Sequence, residues 1–330
     1  MRLFAHGAAL AASLAACIDQ PVSVPGPGQT TSADRLSQLN VYAGTLADLV
    51  PVAGVAPYDV NVSLYADFAD KQRFVWLPEG ARFGADADRW DVPTGTYFIK
   101  NFFFPNDARD PSAGRRIVET RFLIQGDSGL TASTYVWNDE QTEAFASGGN
   151  VDVAVHWIDS AGVTRDESVH VPGSSLCASC HDNRPLGWRT RQMPDPTELV
   201  ALGILDHVPP PGITLVDPTG TADLDARARS YLDANCSHCH ASTGDASGTG
   251  VFFDYEHTDA AHLPLCKHTS KVSGNDRIIV PGHPEQSALI SRMFSDDAFV
   301  RMPRGPTRIP DLEGTAVLNA WIAQMPAGCP

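Results

Sequence analysis

Leu224-Asp225-Ala226-Arg227-Ala228-Arg229-Ser230-Tyr231-Leu232-Asp233-Ala234-Asn235-Cys236-Ser237-His238-Cys239-His240 runs from a helical pattern straight into Cys-x-x-Cys-His. Leu224, Ala228, Tyr231, Leu232 and Asn235 recur at helical spacing, which brings Cys236 to a helix end. A second copy of the pentapeptide lies upstream as Cys177-Ala178-Ser179-Cys180-His181. Cysteines three positions apart lie on one turn, so both sulfurs can form thioethers with the vinyl groups of a single porphyrin. The histidine that follows can then reach the iron as proximal axial ligand. Zinc ribbons and thiol redox sites also use Cys-x-x-Cys, and two such pairs could supply four zinc ligands. Histidine is scarce, with 11 in 330 residues, yet it directly follows both pairs, as heme attachment requires. The expectation is two covalently bound hemes c, held by Cys177, Cys180, Cys236 and Cys239, with His181 and His240 on iron.

The chain opens with Arg2, an apolar run from Leu3 to Ala16, and Leu14-Ala15-Ala16-Cys17. That run is short for a transmembrane helix and ends in small residues suited to cleavage, so residues 1–16 read as a signal peptide. The ending resembles the lipobox of bacterial lipoproteins. The resemblance implies that Cys17 becomes the acylated N-terminus and gives a stable membrane anchor. An ordinary secretory signal cut nearby is the alternative. Both place the mature chain outside the cytoplasm; the expectation is a periplasm-facing lipoprotein of the outer membrane, with the inner membrane left open by Ile18, where an Asp could have stood after Cys17.

Of seven cysteines, Cys266 and Cys329 remain after lipid and heme are assigned. An oxidising compartment favours a disulfide between them; two buried free thiols are the alternative. Lys+Arg 24 against Asp+Glu 39 gives a net charge of −15, and −16 once Arg2 leaves with the signal. Such a surface disfavours nucleic acid. It would steer a basic redox partner, or it serves solubility alone.

At 43% hydrophobic and 19% charged, the chain is long enough for more than one folded unit. Residues 17–34, rich in Pro, Gly, Ser and Thr, read as the lipidated cysteine and a flexible tether. Residues 35–172 read as an N-terminal antiparallel β domain, sandwich-like, with strands over Arg73–Leu77, Thr96–Phe104, Arg116–Ile124, Ser133–Trp137 and Val151–Ile158. Turn signals such as Pro105-Asn106-Asp107 and Gly148-Gly149-Asn150 separate them. Trp137-Asn138-Asp139-Glu140-Gln141 reads as a turn, with a docking edge as the sharper alternative. Residues 173–222 hold the first heme segment at the domain junction, and 223–330 an α-helical domain carrying the second. There Asp311 caps a closing helix with Leu318, Trp321, Ile322 and Met325 on one face, and a short helix is expected over Pro284–Phe294. Helix, pentapeptide, loop, helix, Met302-Pro303 loop and closing helix is the order of small class I cytochromes c.

Val55-Ala56-Pro57-Tyr58-Asp59-Val60-Asn61, Gln72-Arg73-Phe74-Val75-Trp76-Leu77-Pro78, Glu119-Thr120-Arg121, Tyr135 through Gln141 and Ile279-Val280-Pro281-Gly282 accompany the two pentapeptides. Together they resemble an exported bacterial diheme c-type cytochrome family of uncharacterised role. The resemblance implies electron transfer between exported donor and acceptor proteins. It suggests as partner a parallel β-helix repeat protein, commonly encoded nearby. Carried over by position, it places Met302 opposite His240; thioether sulfur trans to His raises the iron potential. Core filling is the plainer role for Met302, and Met293 could substitute.

The first heme is less defined, because too little chain lies between His181 and Cys236 for a full cytochrome domain. Met193 is the nearest distal candidate, although the family more often has leucine there. His207, His170 and a five-coordinate iron are the alternatives. His238, His257, His262, His268 and His283 could be imagined as a further metal site, but read as solvated or bonded to backbone and propionate. Two other functions compete with the carrier. A diheme peroxidase would space its motifs by a whole cytochrome domain, and a binding module would use the β domain with hemes as accessory wiring.

Overall fold

A computed structural model describes residues 33–86, 88–173, 177, 180–181, 184–257, 262–269, 274–305 and 307–329. Cys17, with the signal and nearly all of the tether, lies outside them.

The β-rich part is a six-stranded antiparallel meander in which sequence neighbours pair. Its strands are β3 (Val55–Tyr58), β4 (Asp70–Trp76), β5 (Tyr97–Pro105), β6 (Arg115–Gly126), β7 (Gly129–Trp137) and β8 (Ala144–Ser147). Two short strands, β1 (Tyr42–Ala43) and β2 (Val50–Pro51), pair with each other ahead of it. A ribbon of β9 (Val151–Ile158) and β10 (Thr164–Val171) follows.

Alternation along the strands fixes what each face meets. Phe74, Ile99 and Phe122 are cross-strand partners. They share a fully buried cluster with Leu36, Leu39, Leu49, Tyr135 and Trp137, so the segment before β3 covers this face. On the opposite face Val75 and Phe98 pack with Phe83, Trp90 and Trp188. Farther along that face, Phe104 and Val118 pack under Val155, Trp157, Val169 and Val171 of the ribbon. The sandwich expectation is therefore corrected in one respect: the second layer is a two-stranded ribbon plus irregular chain, not a second full sheet. A band of charged side chains lies between the two apolar clusters.

The remainder carries few helices: α1 (Pro196–Ala201), α2 (Leu224–Asn235), α3 (Ala288–Met293) and α4 (Leu312–Gln324). The helix expected over Pro284–Phe294 divides into a 3-10 turn at Pro284–Gln286 and α3, because Ser287 is extended (φ −88°, ψ 121°). Asp311 caps α4, its Oδ1 accepting from Gly314 N at 2.8 Å. The apolar faces of α2 and α4 meet through Ala228, Tyr231, Leu232, Val317, Leu318 and Ile322.

Cys266 and Cys329 are joined by a disulfide that ties the loop after the second pentapeptide to the C-terminus. The β-rich part and the helices interlock directly. Asp67 accepts from Arg308 N and Ile309 N at 2.9 to 3.0 Å, and Tyr65 N donates to Asn235 Oδ1 at 2.7 Å. Among the described residues no helix is long and apolar enough to cross a membrane.

Candidate functional site

Cys177, Cys180 and His181 have helical backbone just after the ribbon, so the two sulfurs and the imidazole leave one turn. His181 Nδ1 donates to Arg184 O at 2.9 Å. That bond fixes the tautomer with the lone pair on Nε2, the state of a metal-binding imidazole. Burial, with the Lys100 charge adding to it, lowers the His181 pKa to about 4, so the ring is neutral.

The second pentapeptide continues α2. Cys236 N and Ser237 N both donate to Leu232 O, and His240 N donates to Cys236 O at 2.9 Å. Ser237 Oγ donates to Asp233 O at 2.6 Å, while the Asp233 carboxylate accepts from Arg191 Nη1 at 2.9 Å and from Tyr255 N at 2.9 Å. Asp88, in the loop between β4 and β5, accepts from Arg189 Nε at 2.7 Å and Arg191 Nε at 3.0 Å. Two arginines thus clamp the β-rich part to the helix that ends at Cys236. Gly244 permits the chain to fold back, since a Cβ there would stand 2.2 Å from Cys239 O. The His240 ring meets Phe253 edge-on at 5.4 Å, and burial lowers its pKa, a bond to the Val251 backbone opposing the shift.

The fold brings the two pentapeptides together. Ligand atoms of Cys180, His238 and Cys239 all lie within 4.8 Å of one another. Arg184 Nη2 reaches across to Thr243 Oγ1 at 3.1 Å. Beside them a cleft open to solvent is lined by Cys180, His181, Trp188, Ser237 and His238 among others. Burial pushes Cys177 up and takes Cys236 up to about 12, with the carboxylates of Asp311 and Asp233 adding to the latter. Cys239 is raised too, first by its contact with Cys180. Thiol redox sites need the opposite, a depressed thiol pKa.

These residues fit heme c: four thiols in two pairs, one imidazole held with Nε2 free, and a second imidazole directly after the second pair, bonded to the Val251 backbone.

The distal candidates separate. Met302 is half-buried and its N donates to Arg292 O at 3.0 Å; the charge of Arg292 in turn acts on the His240 ring. Met293 is buried in the helical cluster with Leu232, Phe253 and Leu318, and Met193 in the cluster with Trp188 and Phe98. His170 Nδ1 sits 2.6 Å from Asp152 and 2.9 Å from Arg308 Nη2, and His207 is paired with Asp206. His257 pairs with Asp254, His268 with Asp276 and His283 with Glu285, while His262 stacks on Phe252. Asn138 to Glu143 form the turn between β7 and β8, closed by Thr142 N and Glu143 N donating to Asn138 Oδ1.

The charged band is a feature that the sequence reading missed. Arg73, Lys100 and Arg121 are cross-strand partners on β4, β5 and β6, on the face that the first pentapeptide adjoins. Burial takes Lys71, on the same face, down to about 7; burial and the like charges of Arg73, Lys71 and Arg121 take Lys100 well below the ordinary lysine range. Its signal was a basic residue at an inward position in each of three successive strands. Comparison with family models, curated proteins and solved structures gave no match.

Proposed function

We propose that the protein is an exported diheme c-type cytochrome, anchored through Cys17, that relays single electrons between exported donor and acceptor proteins. The observation that carries this reading is the histidine directly after each cysteine pair, in Cys177–His181 and in Cys236–His240, with His181 Nδ1 bonded to Arg184 O so that Nε2 is free. Heme c, when bound, supplies an iron that cycles between ferrous and ferric states.

The chain's own residues do the rest. The Cys177, Cys180, Cys236 and Cys239 thiols provide the covalent links, and the Arg184 carbonyl holds His181 in the donor tautomer. The arginine clamp on Asp233 and Asp88 fixes the helix that presents the second pair. A cytochrome c-like reading of the last third is supported by α2 ending at Cys236, by the α2–α4 contact, and by Met302 standing just before α4.

Zinc is the second reading, because Cys180, His238 and Cys239 are zinc-ligand types already in reach of one another. Absorption and mass of the exported holoprotein decide between them: two hemes are expected, and a colourless zinc-loaded chain overturns the cytochrome. Spectroelectrochemical titration, with peroxide added to the half-reduced form, then separates carrier from enzyme. Two low-spin hemes inert to peroxide support the carrier; a high-spin heme with rapid turnover moves the reading to a peroxidase.

A further inference from the structure

Like charges directly opposite one another in a sheet are destabilising, and Arg73, Lys100 and Arg121 form such a row across three adjacent strands. Lys71 joins them, its Nζ and the Arg121 guanidinium lying 5.7 and 4.4 Å from the Phe102 ring centroid. Three carboxylates answer four cations. Glu119 pairs with Arg121, Asp59, 74% exposed at the rim, pairs with Arg73, and the charge of Asp70, its neighbour in the chain, acts on Lys71. Lys71 Nζ donates to Leu64 O. Lys100, in the middle of the row, makes no hydrogen bond or ion pair among the described residues. Half-buried cations without counter-charge are costly, so the row is built for an anion.

Its position says which. On β5, Lys100 lies between Phe98, which meets Trp188 at 5.4 Å, and Phe104, which packs with Val171, so the first pentapeptide, between Val171 and Trp188 in the chain, adjoins the row. A heme attached there would carry two propionate carboxylates, the counter-charge that Lys100 lacks. We propose that Lys100 and Arg73, assisted by Lys71, form a carboxylate-binding site for the propionates of the heme attached at Cys177 and Cys180. The site rests on the diheme reading and assigns the β domain a role in it: supplying the first heme's counter-charge.

Removing a cation beside a heme stabilises its ferric state, so Lys100→Met should lower the potential of one heme and leave the other unmoved. The shift should persist in a Cys236→Ala/Cys239→Ala background and be absent from Cys177→Ala/Cys180→Ala. Lys100→Arg should restore the potential, and the propionate bending band in resonance Raman should move with Lys100→Met. Should Lys100→Met fail to fold, Lys71→Met carries the same test from the edge of the site. Unchanged potentials in a folded two-heme variant overturn the proposal, as does a shift confined to the second heme. A wild-type potential that follows added phosphate also overturns it, because the row would then be open to free anions. Absence of heme by mass in the wild type defeats the diheme reading itself and is read before any of these.

Discussion

Gly314 of α4 lies so close to the Tyr231 ring of α2 that a Cβ built on it would stand 2.1 Å from Tyr231 Cε2. The same ring is held by its hydroxyl, which donates to Asp311 Oδ2 at 2.9 Å. The crossing of the two longest helices is therefore set by a missing side chain. Gly314→Ala gains up to about 1 kcal/mol of helix propensity, but overpacking a fixed ring costs about 3 kcal/mol. The clash wins, and the denaturant midpoint should fall. Tyr231→Leu in the Gly314→Ala background should recover part of the loss; strictly additive effects would show that ring and glycine do not meet.

Asp233 is the shared acceptor for Arg189, Arg191 and Tyr255 N, and its side chain is 1% exposed. Asp233→Ala leaves the buried Arg191 short of one partner, though Asp88 and Glu256 remain. A loss of about 3 kcal/mol is expected, the low end for breaking a buried pair. Asp233→Asn, which keeps an acceptor for Tyr255 N, should lose less. Equal unfolding midpoints for Asp233→Ala and wild type would remove the clamp from the account.

Burial alone would push the Asp88 carboxyl up, yet Arg191 and Arg189 hold it below the ordinary aspartate range. As pH falls, the unfolded chain, with its Asp near the usual value of about 4, takes up this proton first. Stability from the contact is fully present above that value and is lost as pH drops through the lower folded pKa. Asp88→Asn should be less stable at neutral pH and show a shallower stability–pH slope below about pH 4. Parallel acid limbs for variant and wild type count against the assignment.

Much of this was legible in local sequence. Val151–Ile158 was bounded correctly because its alternation and its flanking turn residues agree, and Asp311 announced α4 through cap chemistry. β1, β2 and β8 were not, since strands of two to four residues carry no period of their own and exist through their neighbours. The pentapeptides were read directly, but their approach was not. It depends on Arg184 reaching Thr243 and on Arg191 reaching Asp233, contacts between positions that no sequence spacing relates. Lys100 was overlooked because a single lysine among aromatic residues reads as an ordinary strand edge. Only the register with Arg73 and Arg121 turns it into a row.

Because Cys180 and Cys239 adjoin, porphyrins attached through them would be held close enough for their Soret transitions to couple. The holoprotein should show a bisignate Soret circular dichroism band. Cys177→Ala/Cys180→Ala and Cys236→Ala/Cys239→Ala should each lose one heme by mass and collapse the couplet to a single-signed band. A couplet absent from the two-heme protein would mean that the sulfurs do not stand as the fold places them.

Met302 joins one residue to one observable. It is bonded through its backbone to Arg292, whose charge acts on His240, whereas Met293 is committed to the apolar cluster between α2 and α4. A sulfur at Met302 would give the second iron a soft sixth ligand and a raised potential. Met302→His keeps six ligands but substitutes a nitrogen donor that favours the ferric state, so one heme potential should fall while the other holds. Met302→Ala opens the position and should admit peroxide to the iron. Both variants should lose the ferric sulfur-to-iron charge-transfer band at the red end of the visible spectrum. If that band and both potentials survive Met302→His, the sulfur is not a ligand, and the same measurement on Met293→Leu tests whether the buried methionine, displaced from its cluster by heme, takes the place.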